Sequence, residues 1–362
     1  MVSPMGRRVL KKKKRRASPL RRLGKALYAV AVVLSAIIVV SYAGFKLLAS
    51  KAPSTAEDPP AAATPLPGES SAPAESVDPG PQRKEYTYTF LLAASDQSSG
   101  NTDTMMVATY DTVAQKVGLV SLPRDTMIDG VKESYGKAFH KLNSMYAYNG
   151  IDGLRAEVSK ILGFPIDFYV KVDTKAFVQL VDAVGGVDFY VPVDMSYDDP
   201  TQDLHIHYSE GMQHLTGTDA LKVARCRQNS YIGDDGKVHT YDIYNGADIG
   251  RTETQRDLLV AVMMKALTQP LNFPTYYDIF LENVETNLTV SDLAFFADKA
   301  LKFDFSTGIT TSVLPGDGMV TYKGWTYCYE LYPDQVLELV NTQGLNPYTT
   351  DITPDMLDIV QK

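Results

Sequence analysis

The sequence predicts an α/β protein, a sheet covered by helices on both faces, preceded by one transmembrane helix. Three observations predict it. Strand-like and helix-like stretches alternate from Tyr86 onwards, as they do when helices wrap a sheet. Ahead of them, Ala26 to Phe45 is a continuous uncharged run. Between the two lies a stretch of Pro, Ala, Ser and Glu, almost without large apolar residues, which buries too little surface to offset its ordering entropy.

The N-terminal part is justified by charge. The chain of 362 residues has a net charge of -8, but that average joins two opposite pieces. Residues 1–50 carry 12 Lys and Arg and no acidic residue, leaving 23 basic residues against all 43 acidic ones in residues 51–362, a net of -20. A nucleic-acid-binding domain at -20 is excluded, because neutralising phosphates needs a basic surface. As a helix, the uncharged run spans roughly 30 Å, the thickness of a bilayer's hydrocarbon core. The basic cluster in front of it keeps the N-terminus in the cytoplasm and sends the rest outside. A cleaved signal peptide is the alternative, but its apolar region is usually only ~7–15 residues. The expected organisation is a cytoplasmic basic segment over 1–25, a membrane helix over 26–49, a disordered tether over 50–85 and an extracellular domain over 86–362. Two cysteines exclude a disulfide-dense scaffold; Cys226 and Cys328 either pair or stay buried as free thiols.

Within the domain, Tyr86–Ala94 reads as a strand that becomes continuously apolar, as a central strand does. Thr104–Tyr110 and Lys116–Leu122 are two more strands joined by a turn containing Asp111. Asn143–Gly150 and Leu154–Leu162 are helical, the second closed by Gly163. Phe168–Val172 is a strand, Lys175–Val184 a helix, and Val187–Val191 a strand entered through Gly185-Gly186. Thr216 and Asp219 cap a short helix, Asp219–Val223. Thr252–Thr268 is a strongly amphipathic helix. Helices near Tyr276–Val284 and Asp292–Leu301, strands Thr310–Leu314 and Thr326–Leu331, and a helix Asp334–Asn341 complete the order.

The chemistry-bearing residues are few. No phosphate-binding glycine loop, zinc-protease or serine-hydrolase motif is present. His205 and His207 alternate without a third ligand at a recognisable spacing, so they read as two side chains on one face of a strand, with a zinc site as the alternative. Arginine placement stands out. Arg124, Arg225, Arg227 and Arg251 all sit at the ends of apolar elements, and bidentate guanidiniums suit phosphate oxygens. If residues 225–227 are extended, Arg225 and Arg227 point to one side and Cys226 to the other. Arg251 opens the long helix, where free N–H groups favour an anion. Pairing of each arginine with a nearby Asp is the alternative. Asp96 and Asp103 stand at adjacent strand ends and could hold Mg²⁺ against a diphosphate, since hard cations prefer oxygen; turn chemistry is the alternative.

In order along the chain, NTDTMMVATYD, VSLPRDT, KLNSMYAY, DFYVKVD, GMQHLTGTDALKVARCR and DIGRTETQRD resemble the LytR-CpsA-Psr family of cell-envelope proteins, from about Phe90 to Met264. The resemblance implies a three-layer α/β/α domain with a central mixed sheet, and a hydrophobic groove for a polyprenyl chain with a pyrophosphate site at its mouth. It implies Mg²⁺-dependent transfer of an anionic glycopolymer, of teichoic-acid or capsule type, from a polyprenyl-pyrophosphate carrier to a peptidoglycan hydroxyl. By motif, Asp96 and Asp103 would ligate the metal. Arg124, Arg225, Arg227, Arg251 and Gln255 would hold the phosphates, and Asp125 would orient Arg124. The expected location is the cell membrane, single-pass, with the domain outside. Asn101 and Thr254 stand where the family often has arginine. A non-catalytic protein that binds lipid-linked polymer, and a hydrolase of the same diphosphate, are the alternatives.

Overall fold

The computed structural model describes residues 43–56, 81–95, 102–132, 136–199, 204–234, 236–243, 249–269, 272–304 and 307–362. The expected cytoplasmic segment and most of the expected membrane helix over 26–49 lie outside them, as do Asp96 and Asn101. Among the described residues no helix is long and apolar enough to cross a membrane. The first described element is a helix, α1, at residues 43–49.

β1 (Thr87–Ser95), β2 (Thr102–Asp111) and β3 (Lys116–Leu122) form an antiparallel meander. Asp111 closes its second turn by accepting from the backbone N–H groups of Val113 and Ala114 at 2.9 and 2.7 Å. A small hairpin, β4 (Met127–Val131) and β5 (Ala138–Lys141), follows. The two helices expected over 143–162 are present as the two arms of α2 (Met145–Leu162), separated at Gly150, whose φ of 69° and ψ of -171° are not helical. Gly163 ends it in the left-handed region at φ 76°. Next come β6 (Phe168–Asp173), α3 (Thr174–Ala183) and β7 (Val187–Val191). β8 (Met195–Asp199), β9 (Leu204–Tyr208) and β10 (Gly211–Leu215) lead to α4 (Gly217–Arg225), which starts with the expected Thr216–Asp219 capping box. β11 (Gln228–Ile232) and β12 (Val238–Asp242) form a hairpin ahead of α5 (Ile249–Leu267). The remainder is α6 (Phe273–Asn283), β13 (Val284–Thr286), α7 (Val290–Ala300), β14 (Ile309–Val313), β15 (Gly316–Tyr322), β16 (Trp325–Leu331) and α8 (Pro333–Thr342).

Six strands form one mixed sheet in the order β13-β6-β1-β2-β3-β14. β1–β6 and β3–β14 are the parallel pairs. Two strands expected from the sequence lie outside this sheet. β7 pairs with β10 and β16 with β15, each in a two-stranded ribbon.

β1 shows why helices cover both faces. Leu91 and Ala93 pack with Leu154 and Val158 of α2 and Val336 and Val340 of α8. Tyr88, and Phe90 beside it, turn the other way onto Phe295 and Phe296 of α7, in edge-to-face contacts with Phe296 at centroid distances of 5.1 and 5.0 Å. Alternation along one strand thus serves two helical layers. A second core joins α3, α4 and α5 to β7 and β9 through Val181, Val187, Ile206, Val223, Leu258 and Val262. Gly118 is where β3 meets the chain after α8. A Cβ there would come within 2.5 Å of the Gly344 carbonyl oxygen, so the approach needs glycine.

The folded chain starts before Tyr86, and both described ends of the expected 50–85 tether are docked. Arg83 donates to Asp167 at 2.6 Å, and the Ala56 N–H donates to the other oxygen of the same carboxylate at 2.7 Å. Asp167 also accepts from Thr89 N and Oγ1, at 2.8 and 2.9 Å. Upstream, Lys46 pairs with Asp298 of α7 at 2.5 Å, and Ser291 donates to the Leu48 carbonyl. Cys226 and Cys328 are both free and buried, in separate clusters. They do not form the disulfide left open by the sequence, and they are not on neighbouring strands.

The Asp167 side chain is fully buried and that of Arg83 is 9% exposed. Removing one partner of such a pair strands the other charge. Asp167→Ala is expected to lower the unfolding free energy by about 3–5 kcal/mol, read as a lower urea midpoint at unchanged slope.

Candidate active site

The site is built at the ends of β2 and β3. Met105 faces Leu122, and two residues further along each chain stand Asp103 and Arg124. On the other side of β2, Ala94 faces Thr104 and Ser95 faces Thr102. Asp103 is therefore the extra residue of a bulge, the device by which a strand end re-aims one position. Asp96, the next residue after Ser95, lies outside the described residues.

Arg124 sits in a tight turn held by Thr126, whose N–H and hydroxyl both donate to the Pro123 carbonyl, at 3.1 and 2.6 Å. Asn143 straps this turn to β2. Its N–H donates to the Arg124 carbonyl at 2.9 Å, while its own carbonyl accepts from Thr102 Oγ1 at 3.4 Å. The neighbouring Asp125 lies between two cations, with Arg124 Nε at 3.7 Å and Lys141 Nζ at 3.2 Å. Its backbone carbonyl accepts from Tyr329 N–H, which ties the turn to β16. The sequence points to Arg124 and Asp125 but not to Lys141 or Asn143. The signal was present in the stretch KLNSMYAY, which holds both residues, yet nothing local says that it folds back onto residues 124–125.

Gln255 of α5 joins the remaining parts. Its Oε1 accepts from Thr104 Oγ1 at 2.8 Å, and its Nε2 donates to the Ala224 carbonyl at 2.9 Å. One side chain thereby fixes the start of β2, beside Asp103, to the end of α4, beside Arg225. Arg251 stands one helical turn before Gln255 on the same face of α5 and is only 7% exposed. A guanidinium so withdrawn from water requires accepting or anionic neighbours.

Arg225 departs from the expected extended segment. It is the last residue of α4, a helix two residues longer at each end than expected, and the chain becomes extended only at Cys226, with φ -70° and ψ 121°. Cys226 nevertheless turns inward, 1% exposed, while Arg225 is half-buried and Arg227 exposed. Burial raises the Cys226 thiol to about 11, so it stays protonated and unreactive at neutral pH. Thr254 donates its hydroxyl to the Gly250 carbonyl of its own helix. Arg256, although buried, is engaged by Asp257 at 2.8 and 2.9 Å.

A cavity of about 360 Å³ lies elsewhere, between α1 and α7, with Lys46, Tyr86, Phe295 and Lys299 in its wall. It contains none of the arginines above. Phe295 and Phe296 belong to the aromatic core, whereas Met263 and Met264 are 46% and 41% exposed on α5.

A family model described as the LytR_cpsA_psr family matches residues 61–344. The chain belongs to this family. A relative in Bacillus cereus (strain AH820), the polyisoprenyl-teichoic acid–peptidoglycan teichoic acid transferase TagU, is 34% identical over 252 residues, 68% of this chain and 75% of that protein. The corresponding transferase TagV of Bacillus subtilis (strain 168) is 29% identical over 202 residues, 55% of this chain and 48% of its own length. The crystal structure of B. subtilis TagV shares the fold, with a TM-score of 0.58 and 24% identity, covering 74% of this chain and all of that one. In this LytR_cpsA_psr member, then, the mixed sheet and its helices are the family's.

Gln255→Leu removes a donor and an acceptor at once. It leaves Thr104 Oγ1 and the Ala224 carbonyl to lose a partner each, and is expected to cost about 2 kcal/mol. A melting temperature lower by several degrees in thermal unfolding checks this.

Proposed function

We propose that this protein is a membrane-anchored phosphotransferase that moves an anionic glycopolymer from a polyprenyl-pyrophosphate carrier to a hydroxyl of peptidoglycan. The observation that carries it is the Gln255 junction, whose side chain ties Thr104, the neighbour of Asp103, to Ala224, the neighbour of Arg225, one helical turn after Arg251. Support comes from the relatives, named as transferases of polyisoprenyl-linked teichoic acid to peptidoglycan. The uncharged run Ala26–Phe45 behind its basic cluster is the anchor, with the N-terminus in the cytoplasm.

Guanidiniums at the ends of separate elements suit a diphosphate, whose oxygens accept bidentate hydrogen bonds from several directions. Arg251, nearly buried, offers a charge that is strong because water is largely excluded from it. The Asn143 strap fixes the Arg124 backbone, and the Asp125 carboxylate lies 3.7 Å from its Nε. The acceptor hydroxyl oxygen attacks the sugar-linked phosphorus, a new P–O bond forms, and the P–O bond to the lipid phosphate breaks. The hydroxyl proton leaves, and lipid monophosphate departs with the negative charge that the arginines stabilise. Asp96 and Asp103 fit a magnesium ion by donor type, both being carboxylates. Magnesium held there would neutralise diphosphate charge during the reaction.

Arg124→Ala is expected to lower transfer by about 10²–10³-fold while the melting temperature changes little. Full-length protein is incubated with lipid-linked donor, with and without peptidoglycan. Polymer joined to peptidoglycan supports transfer; phosphate release without joining points to a hydrolase; binding alone points to a non-catalytic protein. Transfer at the wild-type rate by Arg124→Ala counts against the site.

A further inference from the structure

Away from the arginines, the β8–β9 hairpin brings together three side chains that the linear sequence keeps apart. β9 alternates, with Leu204 and Ile206 buried in the second core and His205 and His207 on the outer face. The pattern HxH has no third ligand at a recognisable spacing in the sequence, but the fold supplies one across the strand pair. Asp198 of β8 faces His205 directly, and Ser196 faces His207. His205 Nδ1 lies 2.5 Å and His207 Nε2 3.2 Å from the same oxygen, Asp198 Oδ1. All three donor atoms fall within 4.8 Å of one another, and among the described residues this is the one such grouping of His, Cys, Asp or Glu.

We propose that Asp198, His205 and His207 form a surface site for a late first-row divalent cation, zinc being representative, with the fourth position open to water or an anion. Zinc bound at about 2.0–2.2 Å holds tetrahedral neighbours about 3.3–3.5 Å apart. The His207–Asp198 separation already matches this closely. His205 and Asp198 must part by about 1 Å, which replacement of their hydrogen bond by two metal bonds brings about. The hairpin is a firm base: its inner face is core, and the Asp198 N–H donates to Ser230 Oγ of β11 at 3.0 Å. Two imidazoles and one carboxylate favour zinc, copper or nickel over magnesium, which separates this site chemically from the oxygen donors Asp96 and Asp103.

The test uses the full-length chain without a histidine tag, in detergent and excess Mg²⁺ so that oxygen-donor sites are filled. Zinc is titrated against a chromophoric chelator. Wild-type protein is expected to withdraw one equivalent that the His205→Ala/His207→Ala variant does not, with affinity weakened about 100-fold or more. Zinc should also raise the melting temperature of the wild type alone. If the double variant fails to fold, His207→Ala, whose side chain is 56% exposed in the wild type, serves in its place. Equal uptake by wild type and a folded variant overturns the proposal, as does no uptake by wild type.

Discussion

Gln255 is the residue through which distant parts of the chain are held in one arrangement. Its two partners belong to β2 and α4, elements that share no strand pairing. A primary amide is suited to this because it presents an acceptor and a donor on the same planar group. Glutamate would keep the bond from Thr104 and lose the one to Ala224. Each hydrogen bond contributes only about 1 kcal/mol net, yet together they decide where Arg225 and Arg251 stand relative to Asp103.

Much of the central sheet was legible because its strands are long and strongly patterned. Lys116–Leu122 matches its predicted bounds, and β1, β2, β6 and β14 lie within two residues of theirs. The small ribbons β4–β5 and β11–β12 were not, nor was the pairing of β9 with β8, since four- or five-residue strands with exposed faces carry weak periodicity. Their pairing is also decided by partners rather than by propensity. Helix α4 ran past its predicted end because Ala224 and Arg225 are strong helix formers.

Site residues divide along the same line. Arg124, Asp125 and Arg251 were visible as polar residues at element ends, whereas Gln255 came only through the family resemblance. Lys141 was not, because its contact with Asp125 depends on the β4–β5 hairpin returning to the turn after β3. Asp198 was hidden for a related reason. Seven residues separate it from His205 in sequence, and only the antiparallel register makes them direct neighbours. Spacing rules read ligands along one strand well and across two strands poorly.

The carboxylate of Asp167 holds both Ala56 and Arg83, and this alters the geometry of the whole molecule. A proline-rich stretch between a membrane anchor and a domain is ordinarily a spacer that sets how far the domain ranges. Here Ala56 and Arg83 meet at one buried anion, so the chain between them returns to where it began, whatever its length. Lys46, the residue directly after the uncharged run, is itself paired with Asp298 of α7. With that run as the proposed membrane anchor, the domain is moored close to the bilayer instead of swinging on a long leash.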